Sequence, residues 1–172
     1  MESNKIKRAG LAIDGFYRVN ITDPDGTVKG DSGWKHNLIT SAGLTTYISY
    51  LFGSSAGSAR CFYMQLGSSQ SALASSASIL PGEWGKSLMA SIGATQITTR
   101  GASTAGDTVR MLATFVSNSI ISTTNQTIAC IGLYQTTGAS SIFCGGSFSA
   151  STLGQSQSIN CTYDVVFTAS TS

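Results

Sequence analysis

Residues 156–168 read Ser-Gln-Ser-Ile-Asn-Cys-Thr-Tyr-Asp-Val-Val-Phe-Thr. Ile159, Cys161, Tyr163, Val165 and Phe167 alternate there with Ser158, Asn160, Thr162 and Asp164. Successive side chains leave a β-strand on opposite sides, so a period of two predicts a strand with one buried and one polar face. Such a strand cannot hide its apolar side alone and needs another layer across from it.

More strands follow from the same pattern. Over Gly10–Thr22, Tyr17, Val19 and Ile21 share one parity, and Phe16, Arg18, Asn20 and Thr22 share the other. Asp23-Pro24-Asp25-Gly26 reads as a turn, with proline presetting φ and glycine free to take positive φ. Thr27–Leu38 would return, broken by a bulge or second turn at Gly30-Asp31-Ser32-Gly33. Arg60–Leu66 is short, aromatic and apolar, as expected of a buried strand. Further strands are expected at Leu88–Arg100, Asp107–Val116, Gln126–Tyr134 and Ile142–Ser149.

Residues 41–52 change period. Leu44, Ile48 and Leu51 recur at helical spacing and Tyr47 joins them; Thr40 or Ser41 can cap the start and Gly53 the end. Residues 67–81 are rich in Ser and Ala, end at Pro81-Gly82, and read as a long surface loop. No βαβ rhythm occurs. The expected fold is mainly β: an antiparallel β-sandwich, jelly-roll or immunoglobulin-like, with one short α-helix near residues 41–52. Residues 1–10 form an N-terminal arm, and 11–172 a single sandwich domain.

Composition narrows the function. Apolar residues make up 41% of the 172 and charged residues only 10%, against roughly 25% charged in ordinary soluble domains. Serine and threonine fill the gap. Charge is dense over residues 1–35, and beyond Arg110 only Asp164 is charged. Strands with neutral polar faces suit packing against other subunits. A net charge of +2 gives no nucleic-acid footprint. Lys5, Lys7 and Arg8 are read as an arm that contacts solvent or a partner protein.

No run of about 18 apolar residues marks a membrane helix. Asp14 and Arg18 interrupt any signal-peptide core. The expectation is a protein made and kept in a cytoplasm. Cys61, Cys130, Cys144 and Cys161 lie in apolar segments without metal-ligand spacing and are expected as buried thiols. The sequons at Asn20, Asn125 and Asn160 carry no weight without a secretory route.

Catalytic readings do not assemble. His36 is the sole histidine, and no GxSxG elbow accompanies it. Asp23 and Asp25 open like a calcium loop, but the pattern needs a third oxygen ligand before the glycine, where Pro24 stands, and a Glu six residues after it, where Ser32 stands. Glu83 lacks a carboxylate partner for glycoside chemistry. Gly67-Ser68-Ser69 lacks the lysine of a phosphate loop. Phe62, Tyr63 and Trp84 are read first as core aromatics; an exposed platform near Tyr63 and Trp84 would suit a sugar. The protein is therefore expected to be no enzyme and to need no cofactor or metal.

Short motifs then follow one another in a familiar order. Trp34-Lys35-His36-Asn37-Leu38-Ile39-Thr40 and Ala42-Gly43-Leu44 form an N-L-I-T-x-x-G-L segment. Phe62–Gly67 leads into the Ser/Ala loop. Thr127–Tyr134 is similar to an I-x-E-I-G-L-Y/F strand, Ile142–Phe148 to the strand paired with it, and Gln157–Phe167 to a final x-V-x-Y-x-V-x-F strand. Over residues 11–168 this order resembles a group of small bacteriophage virion proteins. One position departs: the acidic residue before Ile-Gly-Leu is Cys130 here, which removes any charge pair made from that site.

The resemblance implies a virion structural protein that assembles with its own copies and with other phage virion proteins. A place in the tail or neck is slightly favoured. The rival readings are a capsid decoration protein and a tail-fibre module that binds a host surface glycan. Lys5, Lys7, Arg8 and Trp84 are the candidate interface residues. The arm and the 67–84 loop are expected to reach across interfaces.

Overall fold

A computed structural model of the chain describes residues 9–45, 63–83, 89–91, 94–98, 108–116, 126–134 and 142–171. Its strands are β1 (Ala9–Thr22), β2 (Val28–Asp31), β3 (Lys35–His36), β4 (Leu38–Ile39), β5 (Tyr63–Gly67), β6 (Met89–Ser91), β7 (Ala94–Thr98), β8 (Thr108–Val116), β9 (Gln126–Tyr134), β10 (Ile142–Leu153) and β11 (Ser158–Thr171). They form two antiparallel sheets. The first runs β2-β1-β11-β8-β7, with β3 also on β1; the second runs β4-β10-β9-β5-β6. The expected antiparallel β-sandwich with one short helix is what the chain forms.

The first and last strands are neighbours. β1 and β11 pair without a register break from Ala9↔Thr171 to Thr22↔Ser158. Both carry the predicted alternation, so the pair presents one apolar side. Tyr17, Val19, Ile21, Ile159, Cys161, Tyr163 and Val165 are buried in the main core with Met64, Leu66, Ile128, Ile131 and Leu133 of the second sheet. Burial of each large side chain contributes roughly 2 kcal/mol. The Tyr17 hydroxyl donates to the Ser147 carbonyl at 2.6 Å, so one core side chain hydrogen-bonds to the opposite sheet.

The returning segment Thr27–Leu38 does not stay in one sheet. β2 pairs with β1, the ladder breaks at residues 32–34, β3 rejoins β1, and β4 pairs with β10 across the sandwich. The crossing falls on Asn37. Its backbone N–H donates to Gly15 O, and its Nδ2 donates to the Tyr163 hydroxyl at 2.6 Å in the interior. Gly15 has to be glycine, because a Cβ there would fall inside the Asn37 amide.

Thr40 starts the helix, as its sequence position suggests. Its Oγ1 accepts from Gly43 N at 2.9 Å, as an N-cap does, and donates to Ile142 O at 2.6 Å. Residues 41–45 are helical; 46–52 and Gly53 lie outside the described residues. Leu44, expected on the buried face, is 43% exposed. The helix reaches β10 through Gly43 instead, whose Cα approaches the Phe143 backbone so closely that a Cβ would collide with it.

Three strand expectations change. The single strand expected over Leu88–Arg100 is two: β6 joins the second sheet and β7 the first, and the change falls between Ser91 and Ala94, where the sequence holds Gly93. β10 outruns Ser149 to reach Leu153, with a register shift between Ser147 and Ser151. The polar parity of β11 is not wholly exposed, since Asp164 and Val166 are buried.

The segment after β5 is a third layer rather than a free loop. Leu73 and Leu80 pack on Cys130, Tyr134 and Ile142 over the outer side of the second sheet. Leu80 N donates to the Tyr134 hydroxyl at 2.9 Å, and Ile142 N donates to Ser78 O. β9 is therefore covered on both faces, and Ile128–Tyr134 is buried throughout. This accounts for an Ile-Ala-Cys-Ile-Gly-Leu-Tyr run without alternation. Cys130, Cys144 and Cys161 are buried free thiols, as expected; Cys61 lies outside the described residues.

Two outcomes follow. Gly43→Ala should destabilise the fold by about 1–3 kcal/mol, because backbone cannot yield to the added methyl; chemical denaturation measures it, and an unchanged midpoint contradicts the packing. Burial also pushes the Tyr17 and Tyr134 hydroxyls up to about 12 from 10.0, and the Cys130 thiol to about 11 from 9.0. The fold favours the protonated form of each, so this stabilisation is whole below the unfolded values and is lost as pH rises toward the folded ones. The urea midpoint should therefore fall between about pH 9 and pH 12; a flat profile there contradicts the burial.

Candidate functional site

Charge is segregated in this fold. Of the charged residues described, all but Glu83 lie on β1, β2, β3, β8, β11 or the turn between β1 and β2. The described strands of the second sheet carry none. The outer face of the first sheet is thus the chemically distinctive surface, and strand register builds it.

One transverse row runs Gln96, Arg110, Asp164, Phe16, His36, each opposite the next on a neighbouring strand. At its centre Asp164 is fully buried, and both its oxygens accept from the Arg110 guanidinium, at 2.7 and 2.8 Å. Such a bidentate pair is geometrically fixed. The Asp164 carboxylate holds Arg110 above its usual range. Trp34 lies over Arg110 with 5.6 Å between guanidinium carbon and ring centroid, and remains 39% exposed. Beside it the His36 ring meets Phe16 edge-on at 5.1 Å, and its Nε2 is 3.2 Å from Asp14.

The next row places Arg18 in a two-pronged contact with Asp31. That contact holds the Asp31 carboxyl below its ordinary range. Both groups are partly exposed, so the pair contributes little stability. Its effect is to fix β2 against β1. At the turn, Asp25 accepts from Thr27 N, and Asp23 accepts from Gln157 Nε2 and pairs with Lys29. These acids hold a hairpin, which is the plainer of the two readings of that segment.

The Asp164 oxygens are committed to Arg110, and the tryptophan ring is backed by a cation in a fixed frame. Trp and Arg set in such a frame are the residue types that anchor protein interfaces. Between β1–β2 and β9–β10 lies a cavity of about 90 Å³ bordered by Val19, Ile21, Ile128 and Phe148, a volume suited to small solvent rather than a sugar.

The candidates named from sequence fare differently. Lys5, Lys7, Arg8 and Trp84 lie outside the described residues. Tyr63 is half-buried and packs against the cluster under the 68–83 layer; Trp84, the other half of the expected platform, is not among the described residues. Glu83 bridges to Gly67, and its Oε2 is buried with no hydrogen-bond partner among the described residues. Sequence reading missed Trp34, Arg110 and Asp164 as a unit. A signal existed: Arg110 and Asp164 are lone opposite charges on two strongly patterned strands.

Arg110→Met should cost about 3 kcal/mol, because it removes the cation that pairs with a buried carboxylate. Adding Asp164→Leu should recover most of that loss, since an apolar pair of similar volume is close to neutral. Urea denaturation of the single and double variants reads both numbers. Equal stabilities for the two would show that the pair is not the anchor of this face.

No protein-family model matches this chain, and no curated protein matches it.

Proposed function

We propose that the protein is a structural subunit of a bacteriophage virion, assembled in the bacterial cytoplasm and acting through contacts with its own copies and with other virion proteins. The observation that carries the reading is the serial order of motifs from Asn37 to Phe167, which resembles small virion proteins. The sandwich supports it: a low-charge protein with a fixed Trp–Arg surface and short edge strands offers contacts that become strong when repeated by symmetry. A tail or neck position is favoured over a head decoration. The chemistry asked of the chain is adhesion, which needs no cofactor or metal.

Light scattering on the purified protein, beside negative-stain images of the same sample, tests this. Rings, tubes or one defined oligomer are expected, and their symmetry separates tail from head. A 17.8 kDa monomer that also fails to attach to particles depleted of it overturns the reading. If Trp84→Ala leaves assembly intact and abolishes adsorption to host cells, the protein is a receptor-binding module instead.

A further inference from the structure

Residues 68–83 leave the end of β5 and return to it. Gly67 and Glu83 bridge antiparallel, and Ser68 N donates to Gly82 O at 2.9 Å. A surface loop closed at its neck in this way, and packed by its own side chains, is an Ω-loop. The neck is backbone on backbone, so it holds whether the body of the loop is up or down.

The body is fastened lightly. Leu73 and Leu80 are its buried anchors, with Ala77 partly buried beside them. Gln70, Ser71, Ala72, Ala74, Ser75 and Ser76 are exposed. Its backbone reaches three different elements. Ser41 N at the helix start donates to Ser75 O at 2.8 Å, and Ile142 N of β10 donates to Ser78 O at 2.9 Å. Leu80 N donates to the Tyr134 hydroxyl of β9 at 2.9 Å. Near the neck, the Cys130 thiol donates to Pro81 O at 3.3 Å.

The sandwich beneath does not need this layer. The main core between the sheets contains no residue of 68–83. The cluster under the loop is separate, on the other side of the second sheet. There β9 already has ladder partners on both sides, β10 and β5. Lifting the loop therefore breaks the small cluster and its hydrogen bonds, and leaves the core and both ladders in place. Segments with few buried apolar contacts and exposed backbone open at a lower free energy than the whole fold.

We infer that residues 68–83 are a strap that lifts from the second sheet as a unit while both sheets stay folded. Leu73 and Leu80 leave together, because both sit in one cluster on one closed loop. The Tyr134 hydroxyl is the latch: its ring is fully buried in β9 and its oxygen holds the strap backbone at Leu80. The open form uncovers Cys130, Tyr134 and Ile142, an apolar face that the closed chain hides. This opening is a property of the fold and does not depend on the virion reading.

The cysteines supply the probes. Cys130 lies under the strap, and Cys144 and Cys161 lie in the main core. The folded full chain is alkylated with iodoacetamide, and peptide mass reads the rate at each site, with far-UV circular dichroism as the folding control. Cys130 should react at least about tenfold faster than Cys144 or Cys161, since it needs only the local opening. Ile159→Val weakens the main core and should speed Cys144 and Cys161 about fivefold while leaving Cys130 unchanged. Tyr134→Phe removes the latch, strands the Leu80 N–H, and should speed Cys130 about tenfold. Equal rates at all three cysteines in the unaltered protein overturn the strap, because Cys130 then reacts only when the whole chain unfolds. So does one common factor for all three in Ile159→Val. A Cys130 rate that Tyr134→Phe leaves unchanged overturns the latch and the strap with it.

Discussion

Pairing β1 with β11 joins residues separated by almost the whole chain, from Ala9↔Thr171 to Thr22↔Ser158. Loop closure makes that contact entropically expensive, though the cost grows only slowly with length. The rest of the fold depends on it. β11 is the middle of the first sheet, and the two strands together supply Tyr17, Val19, Ile21, Ile159, Cys161, Tyr163 and Val165 to the core. Without β11, β1 would keep only the short described partners β2 and β3, and β8 only β7. The chain therefore gains its first sheet late, when both ends are present, and long-range pairing of this kind folds slowly.

The seam between the sheets hangs from the same ladder. Tyr163 on β11 accepts from Asn37, and Gly15 on β1 leaves room for it. Three residues later Thr40 caps the helix and holds β10, and Gly43 lets the helix touch the Phe143 backbone. These residues belong to the Asn37–Leu44 motif segment. Each is explained by the seam: an amide for the crossing, a hydroxyl for the cap, a missing side chain for the approach. The motif thus encodes a way of joining two sheets. It bears on the fold directly.

Much of this was legible because local pattern and tertiary role agree. Period-two alternation located β1 and β11, and the bounds of β9 match the apolar run Gln126–Tyr134. What was not legible depends on partners distant in sequence. Leu73 and Leu80 look like stray apolar residues in a serine-rich loop until Tyr134 supplies a hydroxyl and β9 a surface. Asp164 reads as a solvent-facing position until Arg110, itself stacked on Trp34, closes on it. The split between β6 and β7 has the same origin, since periodicity reports that a segment is extended and not which sheet it joins.

Where such a protein can gain association energy follows from what each surface has already spent. The outer side of the second sheet is covered by the chain's own 68–83 layer. The outer side of the first sheet has its charges paired within the molecule, Arg110 with Asp164 and Arg18 with Asp31. Pairs satisfied at home add little to affinity, although they fix register and exclude wrong partners. Unspent hydrogen bonds lie along strand edges. Among the described strands of the first sheet β2 and β7 are short edges, and Ala94–Thr98 of β7 carries no charge. Backbone groups along such edges, rather than charges already paired, are where a further strand can add hydrogen bonds.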